Sequence, residues 1–175
     1  MYWSQWFFGK LIKLLRVSTK NFSYQKLNRL LNNHKTFFSS YKFMRITVGV
    51  LLEDLNKKLI LQKRSNVEGI VLPGKVTLFG GGIKSGEAPK RAAIREIGEE
   101  LSLRLALPNI SIWKTYKETR GPGHLGYVFV ARNIDGTKLQ LHEGENIVYL
   151  SRGESLDRYD LGPVTRELIE EYWNY

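Results

Sequence analysis

Apolar residues recur along the chain with two periods, and the change of period marks out its elements. Ile46–Leu52 alternates apolar with smaller or polar residues and ends at Glu53-Asp54, the period-two pattern of a half-buried strand. Leu59–Gln62 reads as its hairpin partner across the polar Asn56-Lys57-Lys58 turn. Val76–Phe79 is expected as a short strand after Pro73-Gly74, broken by Gly80-Gly81-Gly82. From Ala88 the period lengthens. Ala92, Ala93, Ile97 and Leu101 fall along one side of a helix over Ala88–Leu101, with Ser85 and Glu87 near its start and Pro89 in its first turn. Ile110–Tyr116, Tyr127–Arg132 and Ile147–Leu150 read as further strands. Pro163–Trp173 closes the chain as a helix with Val164, Leu168, Ile169 and Tyr172 at helical spacing. Strands and helices in this order predict the α/β (α+β) class, a mixed sheet packed between helices.

Upstream of Arg45 the texture differs. In residues 1–17, Trp3, Phe7, Phe8, Leu11, Ile12, Leu14 and Leu15 cover one half of a helix, with Lys13 and Arg16 opposite and Lys10 at the rim. A short helix is expected over Tyr24–Leu31, ended by Asn32-Asn33-His34. The first helix is too short to span a bilayer, which takes about 20 apolar residues. Docking on its own domain or on a partner in a homodimer is the leading reading, and an anionic membrane surface or a targeting segment are the alternatives. Phe37, Phe38, Tyr41 and Phe43 interleave with Lys35 and Lys42, a mixture that stacks on single-stranded nucleic acid but more often covers a neighbouring core. The expected organisation is a basic aromatic extension over 1–43 and a folded domain over 44–175, placed in the cytoplasm or at the membrane periphery.

Composition narrows the chemistry. The 175 residues contain no Cys, which removes disulfides, thiolate metal sites and Cys nucleophiles. The net charge is +10, but residues 1–45 hold nine Lys/Arg and no Asp or Glu, while the remainder holds 18 Lys/Arg against 17 acids. The basicity therefore describes the N-terminal segment, and nucleic acid is not the expected partner of the body.

The body carries one concentrated run of chemistry, from Gly81 to Leu103. Glu96, Glu99 and Glu100 are spaced by three and four residues, which puts three carboxylates on one face of the helix. Such crowding is unfavourable on a bare helix, and Arg95, four residues before Glu99, offsets only part of it. A hard divalent cation accounts for the cluster, because Mg²⁺ takes oxygen ligands and bridges phosphate oxygens. The glycine run before the helix lets the backbone turn sharply and approach a ligand closely. Glu87, read as just inside the helix start, suits the positive end of the helix dipole.

These residues resemble the Nudix box: Gly, five residues, Glu, seven residues, Arg-Glu, an aliphatic, one residue, Glu-Glu, one residue, Gly, an aliphatic. Gly81, Glu87, Arg95-Glu96, Ile97, Glu99-Glu100 and Leu103 occupy its positions, and Ser102 stands where the last Gly belongs. That position looks like a helix C-terminus needing positive φ, where a Ser costs on the order of 1 kcal/mol. The resemblance extends more weakly over Arg45–Tyr175 and leaves out residues 1–43. It implies a Nudix-like α/β/α sandwich that hydrolyses a diphosphate bond, in a nucleoside diphosphate linked to another moiety, with an activated water. By the same resemblance Glu96, Glu99 and Glu100 bind Mg²⁺ or Mn²⁺ beside the backbone carbonyl of Gly80, and Glu96 is the general base. Gly81, Glu87 and Arg95 support the loop. A later loop often adds a carboxylate, and Glu143 is the first choice here, Glu145 the second, against two solvated acids. Arg64 and Lys84 are the candidate phosphate contacts, each weighed against a plain surface charge. The Arg120–His124 loop is a candidate wall of the site, His124 itself reads as a turn residue, and Tyr116, Tyr127 and Phe129 read as core, with stacking on a base as the alternative for each. The partner implied is a nucleotide-like small molecule. Two rivals stand beside this reading, a non-catalytic nucleotide-binding module and an RNA- or membrane-associated enzyme using the basic N-terminus. A prenyl diphosphate isomerase of the same fold is disfavoured, since that chemistry by resemblance uses a Cys.

Overall fold

The computed structural model describes residues 45–118 and 124–174, all within the unit Met44–Tyr175. The helices expected over 1–17 and Tyr24–Leu31, and most of the Arg120–His124 loop, lie outside the described residues. Among the described residues, six strands and two α-helices follow in order: β1 (Arg45–Asp54), β2 (Leu59–Lys63), β3 (Val76–Thr77), α1 (Pro89–Leu101), β4 (Ser111–Glu118), β5 (His124–Ile134), β6 (Asn146–Leu150) and α2 (Pro163–Asn174). The strands lie in the order β3-β2-β1-β5-β4, and β6 takes a place on β2. β1 and β5 run parallel while the other strand pairs are antiparallel, so the sheet is mixed, as expected.

The β1–β2 hairpin is closed by a buried carboxylate. Asp54 Oδ1 accepts the N–H groups of Asn56 and Lys58, each at 2.8 Å, and Lys57 takes φ 65°. A short acidic side chain bonding the backbone two residues ahead is a local turn device, which makes the polar run after β1 a tight return.

Alternation along the strands sends side chains to two cores. Val48, Val50, Leu52, Ile60, Phe129 and Ala131 pack with Ala92, Ala93, Ile97 and Leu101 of α1. Leu51, Leu59, Leu61, Val128, Val130 and Leu150 pack with Leu168 and Ile169 of α2. One helix thus covers each face, giving the three-layer sandwich. Ile97, Leu101 and Ile169 are fully buried, and burying side chains of this size contributes roughly 1.5–3 kcal/mol each.

The glycine run departs from the expectation. It does not end the pairing begun by β3. Phe79 bridges Val50 and Gly82 bridges Thr47, and the N–H groups of Val48 and Val50 donate to the carbonyls of Gly81 and Phe79, both at 2.9 Å. The segment after β3 therefore moves from β2 onto the first half of β1. Gly80 makes this approach at φ +135°, where a Cβ would lie 2.2 Å from the Val48 carbonyl oxygen. No side chain fits there, so the glycine is required by contact and by conformation.

Candidate active site

The loop before α1 and the first turns of the helix are fastened by Arg95. Its Nε and Nη2 each donate to the Glu87 carboxylate at 2.8 Å, and Nη2 also donates to the Gly82 carbonyl at 3.0 Å. Its Nη1 donates to Glu96 Oε1 at 2.7 Å and to Glu99 Oε2 at 3.0 Å. A planar guanidinium can serve these acceptors at once because its five donors are fixed in a fork. Glu87 lies before the helix rather than in its first turn, since Ala88 is the N-cap. Its carboxylate accepts from the Lys84 N–H at 3.0 Å as well as from Arg95, and these bonds hold its pKa at about 2. The expected dipole partner is thus an ion-pair partner, because Pro89 starts the helix two residues later.

Glu96 and Glu100 turn toward the sheet. A Cβ on Gly81 would lie 2.7 Å from the Glu96 carboxylate carbon, so the loop lies flat against that carboxylate. Glu100 is 3% exposed, and its Oε2 accepts the Gly80 N–H at 2.9 Å. The group that Gly80 directs to the acid cluster in this arrangement is its amide, whereas its carbonyl was the expected metal ligand. Burial pushes the Glu100 carboxyl up to about 8. Glu143 and Glu96 add to the rise, and the Gly80 bond and Arg64 work against it. A carboxylate so placed is stabilised by a cation more than any exposed one.

A cleft of about 830 Å³ opens above these residues, lined among others by Arg45, Arg64, Gly80, Glu96, Glu100 and Glu143. The structure thus brings together Glu96, Glu100, Glu143, Arg64, Gly80 and Gly81 from the expected set. Arg64 is steadied by Nε donating to the Val71 carbonyl at 2.8 Å. Glu99 and Lys84 stand apart from the lining. Both are more than half exposed, and Lys84 Nζ lies 3.7 Å from Glu99 Oε1. Glu145 instead uses its backbone N–H, which donates to the Lys63 carbonyl at 2.7 Å.

The donor set suits a hard divalent cation: three carboxylates, two of them buried or nearly so, share one cleft with an arginine suited to phosphate. Among the described residues no three acidic or His side chains already stand at ligand spacing. Arg95 takes up one oxygen each of Glu96 and Glu99.

The loop that delivers Glu143 is tied at both ends. The N–H groups of Gln140 and His142 donate to the carbonyls of Leu101 and Glu100 at 3.0 and 2.8 Å. On the other side Gln62 Nε2 donates to the Glu143 carbonyl at 3.1 Å. Gln62 was not among the expected site residues, although a polar side chain ending the apolar run of β2 was the available signal. His124 also differs from its reading as a turn residue. It begins β5, is linked to Thr47 Oγ1 through Nε2 at 2.6 Å, meets the Tyr116 ring edge-on, and lines the cleft. Phe129 is buried in the core under α1 with Tyr127 packed against that core, and Tyr116 packs from a partly buried position against the core under α2.

A family model described as the NUDIX domain matches residues 44–172. Nucleoside triphosphatase NudI of Escherichia coli (strain SE11) is 32% identical over 108 residues, covering 57% of this chain and 77% of the relative. The protein of the same name from Enterobacter sp. (strain 638) is 33% identical over 123 residues, covering 63% and 84%. The MutT protein from Methanosarcina mazei Go1 superposes with a TM-score of 0.62 at 21% identity, over 75% of this chain and 93% of that one. The NUDIX domain of Shewanella oneidensis NrtR, complexed with ADP ribose, superposes with a TM-score of 0.59 at 20% identity, over 74% and 86%. At these identities the solved structures speak for the fold alone.

Proposed function

The chain belongs to the Nudix family, and we propose that it hydrolyses a diphosphate bond in a nucleoside diphosphate linked to another moiety. The observation that carries this reading is the convergence of Glu96, Glu100, Glu143 and Arg64 on one cleft. The similarity to nucleoside triphosphatases makes nucleoside triphosphates the first substrates to try. Residues 44–175 form the catalytic domain in this reading, and 1–43 are an extension outside it.

Each residue has a task that follows from its surroundings. Arg64, braced by the Val71 carbonyl, holds phosphate oxygens by charge and by its forked donors. Glu96 accepts the proton of the attacking water. Its oxygen shared with Arg95 is oriented by that bond, and the residue lines the cleft. Glu143 assists from the opposite loop as a second acid. Glu87 and Arg95 keep the loop and the helix start in register. Glu96 and Glu100 would hold a divalent cation, Mg²⁺ or Mn²⁺, beside the Gly80 backbone, with Glu99 joining them by exchanging its Arg95 partner for the metal. Bound there, it would neutralise charge on the phosphates and make water more acidic.

Turnover tests the reading. The purified protein is offered nucleoside triphosphates, nucleotide sugars, dinucleotide cofactors and dinucleoside polyphosphates, with and without Mg²⁺, beside Glu96→Gln. Metal-dependent cleavage of at least one compound is expected, with kcat lower by about 10²–10⁴ in the variant, the usual worth of a general base. Nucleotide binding without cleavage would replace this reading by that of a binding module.

A further inference from the structure

Ser102 ends α1 in the left-handed conformation, at φ 53° and ψ 18°, with its N–H donating to the Gly98 carbonyl. Glycine adopts that conformation without cost, and a Ser does not. The Ser must therefore bring something that glycine lacks, and its side chain shows what. A hydrogen bond of 2.6 Å links Ser102 Oγ to His142 Nε2. His142 is also held by its backbone, whose N–H donates to the Glu100 carbonyl. The next residue is Glu143, whose carbonyl is gripped from β2 by the buried Gln62. Gly144 then turns at φ +92°, where a Cβ would lie 2.8 Å from the Lys63 carbonyl oxygen. The loop is thus stretched between the end of the metal-ligand helix and the end of β2. The Ser102–His142 bond is the side-chain fastening on the helix side.

We propose that Ser102 and His142 are positioning residues that fix Glu143 over the cleft by tying its loop to the end of α1. The inference rests on the hydrolase reading and on Glu143 as its second acid. The bond lies at the surface, so it contributes little to global stability. Its effect is to narrow the range of positions open to the neighbouring carboxylate, and misplacement of such a group costs rate steeply.

Two substitutions that both accept the left-handed backbone separate this role from a merely structural one. Ser102→Gly relieves the backbone and removes the hydroxyl. Ser102→Asn tolerates the same conformation and keeps a hydrogen-bonding side chain. Ser102→Gly is expected to lower kcat about five- to ten-fold, the worth of one hydrogen bond expressed as rate. KM should stay within about two-fold, and thermal stability should be unchanged or higher. Ser102→Asn should keep kcat within about two-fold of the parent. In a Glu143→Gln background, Ser102→Gly should lower kcat no further, because the group it positions is already gone. Hydrogen exchange of the amides over 140–145 should quicken in Ser102→Gly and not in Ser102→Asn. Unchanged kcat or unchanged exchange in Ser102→Gly overturns the proposal, as does an equal fall in both Glu143 backgrounds. Should the parent protein cleave nothing in the substrate panel, the hydrolase reading fails on its own, and the exchange measurement still decides whether Ser102 fastens the loop.

Discussion

Glu100 is held almost out of water by its backbone partner and its neighbours, and the rest of the site depends on how that charge is answered. The Gly80 amide supplies one hydrogen bond, while the nearby Glu143 and Glu96 oppose ionisation. Glu100→Gln is isosteric, preserves an oxygen for the Gly80 N–H and removes a carboxyl held out of water. In the presence of a chelator near pH 7 its Tm is expected to match or exceed that of the parent, since a carboxyl that burial pushes up to about 8 must take up a proton on folding, a cost the neutral amide does not carry. The rise in Tm on adding Mg²⁺ should disappear, and turnover with it. A parent protein whose Tm ignores Mg²⁺ would remove Glu100 from the ligand set. At this scale the box residues were legible in the sequence because their spacing is a helical one. Spacing placed Arg95 beside Glu99 but could not reveal that Glu99 stands exposed, apart from the cleft, or that Lys84 joins it there. Those outcomes depend on side-chain rotamers chosen among several charged neighbours. Gln62 was illegible for a different reason, because its partner is a backbone carbonyl some 80 residues away in sequence.

Among the elements, the glycine run after β3 sets how near the backbone comes to the carboxylates. Two of its three glycines, Gly80 and Gly81, are required for different reasons, which predicts different failures. Gly80→Ala puts a methyl group into the Val48 carbonyl at a φ that side chains rarely adopt. It should destabilise the protein by about 3 kcal/mol or more, lowering Tm sharply. At Gly81 the added methyl meets only the end of the Glu96 side chain. Gly81→Ala should fold with a small fall in Tm and lose kcat by about 10²-fold, because a displaced base no longer reaches its water. Equal Tm losses in the two variants would contradict this division. The strands and helices were largely legible, since alternation and helical spacing were both strong. The pairing of the glycine segment with β1 was not, because glycine carries no hydrophobic pattern to read and the bonds there are made by backbone alone.

For the molecule as a whole, the family model begins at residue 44 and the first described strand at Arg45. A chain of residues 44–175 is expected to fold cooperatively and to keep metal-dependent turnover within about three-fold of the full chain, as a self-sufficient core would. Circular dichroism and the substrate assay check this, and loss of both would place residues 1–43 in the catalytic unit. The N-terminal segment was legible only as charge and amphipathicity, neither of which names a partner.

The parallel pairing of β1 with β5 also bears on how the chain survives its own synthesis. Arg45 lies beside His124, and the register runs on to Asp54 beside Ile134. β1 therefore waits for a partner made about 80 residues later, which is roughly 4–16 s of elongation at ~5–20 residues per second. Through that interval its apolar stretch is an open edge that another nascent chain could join. The charges at the ends of the strand, Arg45 at its start and Glu53-Asp54 at its close, stand where gatekeepers against such association are found. Neutralising Arg45, which unlike Asp54 closes no turn, would burden the unfinished chain more than the finished one, and the loss would appear as reduced soluble yield at a melting temperature close to the parent's.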